Sequence, residues 1–237
     1  NGTVVGSRYG VAKKAKIVAV KVQRSNGTVI MSDVIRGLEW VGEAHKTIKQ
    51  KDERTVSATN IPLSNSHSSA FDAAVDATVN FGVHFAVAAG NDDSDACNYS
   101  PALAKKAVTV GASTLTDKRT PFSNYSRRVD VFARGLHIQS TWIGSNTAAK
   151  VTSSTSMASA RVRGLMAYLL SLKDKPQSVT PKEPKEEIIK LSTTDALSDI
   201  LSGTENRLAF NDPPSAINKA GWLIWMVRFV DRFTVSA

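Results

Sequence analysis

Cysteine is almost missing from this chain, with Cys97 the single example in 237 residues. That excludes an intramolecular disulfide and a cysteine-rich zinc site. No run approaches the ~20 apolar residues of a membrane-spanning helix. Aromatic residues are sparse at 7%, and none interleave with basic ones as on a nucleic-acid-binding surface. No signal or transit segment opens the chain; starting at Asn1, it is expected to be processed or a fragment. What remains, 42% apolar and 22% charged, suits a globular protein long enough for one full core.

A net charge of +9 raises the question of nucleic acid, and its distribution answers it. Residues 1–60 carry 11 basic groups against 5 acidic, and 121–180 carry 8 against 2. The stretches between and after are slightly acidic. With no nucleic-acid motif on the basic stretches, the excess reads as solvated surface.

Strand and helix patterns alternate along the chain. "AKIVAVKV" (15–22) is β-branched and alternating, which predicts a strand. "SDVIRGLEWVGEAHKTI" (32–48) puts Val34, Leu38, Val41, His45 and Ile48 on one helical stripe, with Ser32 as its expected cap. "RTVSATNIPL" (54–63) reads as a strand that Pro62 keeps from a central place. A helix is predicted over 69–81, a buried strand over 83–89, and short strands over 107–112 and 128–132. A long helix follows Ser156 to about Leu172, and another spans 180–191 with Thr180 as cap and Pro181 at its first position. Such alternation predicts an α/β fold on a parallel sheet.

In parallel sheets the chemistry gathers at the carboxyl ends of strands. "AVAAGN" places Asn91 just past one such end, and "STSMA" places Ser156 at a helix start. A serine there is an ordinary cap or a nucleophile; an amide donor beside a developing oxyanion is what acyl transfer needs. The predicted geometry sets the Ser156 Oγ facing the Asn91 side chain across a shallow cleft.

Five collinear blocks carry a resemblance: "YGVAKKAKIVAVKV" (9–22), "HFAVAAGNDDSDACNYSPA" (84–102), "AVTVGAST" (107–114), "FSNY" (122–125) and "TSMAS" (155–159). Together they resemble the subtilisin-like serine peptidases (peptidase S8), the proteinase K branch and the fungal vacuolar cerevisins in particular. The resemblance covers residues 1–211 and leaves 212–237 as an unmatched tail, best read as read-through or frameshifted sequence. It implies a parallel sheet flanked by helices but lacking the family's N-terminal strands. It implies Ser156 as the nucleophile position, with Asn91 and the Ser156 N–H as oxyanion-hole donors. Ala88, Ala89 and Gly90 match a wall of the substrate pocket, and Leu63 lies in the edge that pairs with substrate. Asp130 matches a carboxylate that holds a structural calcium with backbone carbonyls near Lys105 and Ala107; no cofactor is implied for the chemistry. The implied partner is a polypeptide, the implied state a monomer, and the implied location vacuolar or secreted.

Departures from the pattern matter equally. The triad aspartate and histidine have no counterparts here, and none of His45, His67, His84 or His137 falls in a matching position. Without a base, a serine hydroxyl is a poor nucleophile, so the chain as it stands is expected to be inactive. The alternative is a non-catalytic binding or structural protein on the same scaffold. Pro62-Leu63-Ser64-Asn65-Ser66 replaces a glycine-rich substrate edge, and Ser154 replaces a glycine. Arg163 replaces a small residue on a helix face expected to be buried, where an unpaired guanidinium is costly. A compact fold is expected to need 15–22 to pair directly with the strand near 54–61, or the gap to be filled otherwise. Asn1, Asn26, Asn98 and Asn124 each begin a weak glycosylation pattern.

Overall fold

A computed structural model describes residues 2–211; the tail 212–237 lies outside the described residues. Apolar alternation builds the sheet. Along β3 (Val83–Ala88) every residue is buried. Val83, Phe85 and Val87 face one core while Ala86 faces the other, as the two-residue period of a strand requires. On the first side lie α2 (Met31–Lys51) and α3 (Ser69–Asn80), bringing Val34, Leu38, Phe71, Val75 and Val79. On the second lie α4 (Thr155–Ser171) and α5 (Lys182–Leu191), bringing Val162, Leu165, Met166, Leu169 and Ile188.

With β1 (Ser57–Ile61), β5 (Val108–Ser113), β6 (Val131–Arg134), β9 (Thr193–Thr194) and β10 (Arg207–Leu208), the sheet runs β1-β3-β5-β6-β10-β9. All pairs are parallel except β9 with β10. Two small antiparallel pairs complete the strands: β2 (Asn65–Ser66) with β4 (Tyr99–Ser100), and β7 (Ile138–Thr141) with β8 (Ala149–Thr152). A short α1 (Gly2–Val5) touches β7 through a Thr3–Ser140 hydroxyl bond of 3.0 Å.

The α/β sheet flanked by helices is as expected, and β1 sits at its rim as Pro62 demanded. The strand predicted over 15–22 does not form. A strand exists only with a ladder partner, and β1 does not pair with this segment. It runs over the surface instead, with Val18 58% exposed, and Val22 lies against Gly37 of α2. Nearby, the bridge between Gln23 and Val29 only closes the turn at Gly27.

Two caps also differ. Ile30, not Ser32, precedes α2 and makes no side-chain cap. Helix α5 begins at Lys182, after Pro181. There Thr180 donates its N–H and hydroxyl to Glu183 Oε1 at 2.8 and 2.9 Å, the reciprocal half of a capping box. Nor is Arg163 unpaired: its Nε donates to the Ala58 carbonyl of β1 at 2.9 Å. The half-buried guanidinium thus satisfies an acceptor on the rim strand, although burial lowers its pKa from the ordinary arginine value.

Candidate functional site

The cleft lies where β3 ends and α4 begins. Gly90 turns the chain there with φ +110°, a conformation that favours glycine. A Cβ at Gly90 would also collide with the Asn124 side-chain amide and with Ser64 Oγ. Asn124 is fully buried and braces this turn. Its Nδ2 donates to the Ala89 carbonyl at 3.0 Å, and its Oδ1 accepts from the Asp92 and Ser94 N–H groups at 2.9 and 3.1 Å. Such burial takes Asn124 out of the glycosylation candidates.

The braced turn aims Asn91 at the head of α4. Asn91 Oδ1 accepts from Thr155 N–H at 2.8 Å and from Thr155 Oγ1 at 2.9 Å. Thr155 Oγ1 in turn accepts from Gly90 N–H at 3.3 Å. These contacts fix which way the amide faces, leaving Nδ2 to donate to Ser154 Oγ at 3.2 Å. Ser154 is the N-cap of α4, and its Oγ also accepts from Ser156 N–H at 3.0 Å. Asn91 and Ser156 are therefore one oxygen apart. Ser156 is the second residue of α4, and its hydroxyl donates to the Pro62 carbonyl at 3.1 Å rather than to the Asn91 side chain it was expected to face.

The other predicted residues are placed as follows. Ala88 and Ala89 are 1% and 0% exposed, so their side chains belong to the core. Leu63 is half-buried beside Phe71. The four histidines serve elsewhere. His45 Nδ1 and Ser57 Oγ lie 2.9 Å apart, and His84 is buried at the opposite end of β3 from the cleft. His67 Nε2 is 3.9 Å from Asp72, and His137 is exposed.

Asp130 presents a test of the expected calcium. Its Oδ2 accepts from Thr109 N–H at 2.8 Å and lies 2.9 Å from Lys185 Nζ. The same ammonium donates to the Ala107 carbonyl at 2.6 Å and the Lys105 carbonyl at 3.2 Å. One carboxylate and two carbonyls are oxygen donors of the kind calcium takes, but here they surround a lysine ammonium. The residues present therefore do not fit the ion. Among the described residues, no group of three or more His, Cys, Asp or Glu side chains is arranged to hold a metal.

Sequence reasoning missed Asn124, Thr155 and Lys185 as positioning residues. Asn124 stood inside a resembling block, "FSNY", which was a usable signal. Lys185 gave none, because on α5 it is one of several charges on a polar helix.

A parallel sheet with an amide donor past one strand and a serine at the following helix head defines a subtilisin-like protein. The chain belongs to the subtilase family (peptidase S8), whose pattern matches residues 1–210. It is 53% identical over 223 residues to the subtilisin-like serine protease Pen c 2 of Penicillium citrinum, covering 89% of this chain and 49% of that protein. It is 51% identical to the subtilisin-like proteinase Spm1 of Pyricularia oryzae, covering 89% of this chain and 42% of that one. The crystal structure of a cold-adapted subtilisin-like serine proteinase matches with a TM-score of 0.79 at 37% identity, covering 89% of this chain and 72% of that one. The chain thus spans under half the length of these fungal relatives.

Proposed function

We propose that this chain is a subtilisin-like serine endopeptidase homologue that, on its own residues, holds polypeptide without hydrolysing it. The observation that carries the reading is the bond from the Ser156 hydroxyl to the Pro62 carbonyl. A carbonyl does not remove the proton, so the oxygen stays a hydroxyl and a weak nucleophile at neutral pH. In this reading Ser156 occupies the nucleophile position. Asn91 Nδ2 and Ser156 N–H are the donors that would meet an acyl oxygen. The backbone at Ala88, Ala89 and Gly90, with Leu63, borders the bound peptide. Donors without a base retain only ~10³–10⁴ of rate over water. The partner is an extended polypeptide, one copy of the chain suffices, and the family resemblance gives a vacuolar or secreted setting. No helix among the described residues is long and apolar enough to cross a membrane.

A fluorogenic-peptide assay tests the reading. Neither Ser156-dependent cleavage nor fluorophosphonate labelling of Ser156 is expected. Turnover abolished by Ser156→Ala would overturn it.

A second reading, a competent endopeptidase whose base comes from residues outside this chain, is favoured by the share of the relatives' length that the chain leaves unmatched. Sequencing the transcript across the Asn1 codon separates the two. An in-frame segment bearing a histidine, and an aspartate further upstream, supports the enzyme.

A further inference from the structure

Two donors from separate elements, Asn91 Nδ2 at 3.2 Å and Ser156 N–H at 3.0 Å, converge on one atom, the hydroxyl oxygen of Ser154. We infer that Ser154 is an internal ligand filling the anion site of this cleft, so that a peptide's terminal carboxylate or acyl oxygen must compete with that hydroxyl and is held more tightly once it is removed. The inference rests on reading Asn91 and the Ser156 N–H as the acyl-oxygen donors.

The geometry supports an occupant rather than a bystander. Ser154 is extended, at φ −177° and ψ 154°, and its own N–H donates to the Gly135 carbonyl at 2.8 Å. Its Cβ is thereby held at the mouth of the α4 N-terminus. The hydroxyl donates its proton toward Asn91 Oδ1 at 3.3 Å, leaving its lone pairs to the two N–H donors. Both donors are then satisfied without a ligand, and at distances near those an oxyanion site requires. A carbonyl oxygen arriving from a peptide meets an oxygen already in place. It either displaces a bonded hydroxyl or goes unpolarised. The serine is also a good helix cap, so the same bond that closes the site stabilises α4. Glycine is tolerated at an N-cap almost as well as serine, so Ser154→Gly empties the site without removing the helix start.

Two measurements on the full chain test this. In NMR, the Asn91 side-chain amide and the Ser156 backbone amide should shift together in S154G, and also in S154A, which removes the oxygen even if S154G fails to fold. For binding, the probe is an N-acetylated apolar tetrapeptide as its free carboxylate, with the C-terminal amide as control. S154G should bind the carboxylate about 10-fold tighter than the parent, with the amide unchanged. Adding Asn91→Leu should abolish that gain. Unmoved Asn91 and Ser156 resonances overturn the inference, and so does an amide that binds while the carboxylate gains nothing. If the resonances move but no variant binds either peptide, Ser154 is still the internal ligand, and the peptide-binding reading falls instead.

Discussion

His84 shows what one buried side chain does to the whole stability curve. It is 1% exposed, and burial lowers its pKa from 6.5 to about 4, helped by His45 and Lys49 and opposed by Glu183. His45 is lowered too, by burial and then by Lys49. Neither His84 Nδ1 nor His45 Nε2 has a partner that rewards a second proton. The unfolded chain takes up those protons below about pH 6.5 and the folded chain does not. Stability is therefore complete above pH 6.5 and falls as pH drops toward 4, by about 3 kcal/mol for His84 alone. The urea midpoint should decline between pH 7.5 and 4.5, and more shallowly in His84→Leu. Equal acid slopes in the two proteins would contradict this. The sequence placed His45 on a buried helical stripe, yet nothing in it placed His84 near His45, because their approach depends on α2 packing against β3. Ser156 and Asn91 were legible as neighbours for a better reason, since a parallel sheet gathers strand ends and helix starts at one edge.

At the scale of elements, two cations join pieces of chain that the sequence keeps far apart. Arg163 bonds α4 to the Ala58 carbonyl of β1. Arg163→Met keeps the stem but strands that acceptor, and should cost about 1–2 kcal/mol in urea unfolding. An unchanged midpoint would show that water replaces the guanidinium freely. Lys185 bonds α5 to Asp130 and to the carbonyls of Lys105 and Ala107. The melting temperature of the natural chain should accordingly be the same in millimolar calcium and in chelator. Lys185→Ala should melt lower, and should gain a calcium-dependent rise that Asp130→Asn removes. A calcium response in the natural chain would overturn this assignment. The resemblance implied calcium at Asp130, and the Lys185 ammonium lies there. Its covalent attachment to α5 was not legible, since a lysine on a solvated face has the same local pattern whatever it reaches. The 15–22 segment fails in the opposite sense: its alternation is that of a strand, but periodicity carries no information about whether a neighbour is present.

For the whole molecule, the parallel sheet and its flanking helices were readable because burial on two faces leaves β3 and β5 as short, mainly apolar segments, whereas the order of the strands was not. The rim was readable only through Pro62. The rim strand also sets a clock. Every residue of β3 and β5 is buried, whereas four of the five in β1 are half-exposed. Amide protons report such a gradient directly, since local openings release them at free energies well below global unfolding. In deuterated buffer, Ser57 to Asn60 should exchange with the solvent long before Val108 to Ala112 do. Exchange at one common rate throughout would mean that the molecule opens only as a unit. With the gradient, it wears from both rims, β1 and β9, inward, and the amides at the end of β3 that hold the cleft are among the last to let go.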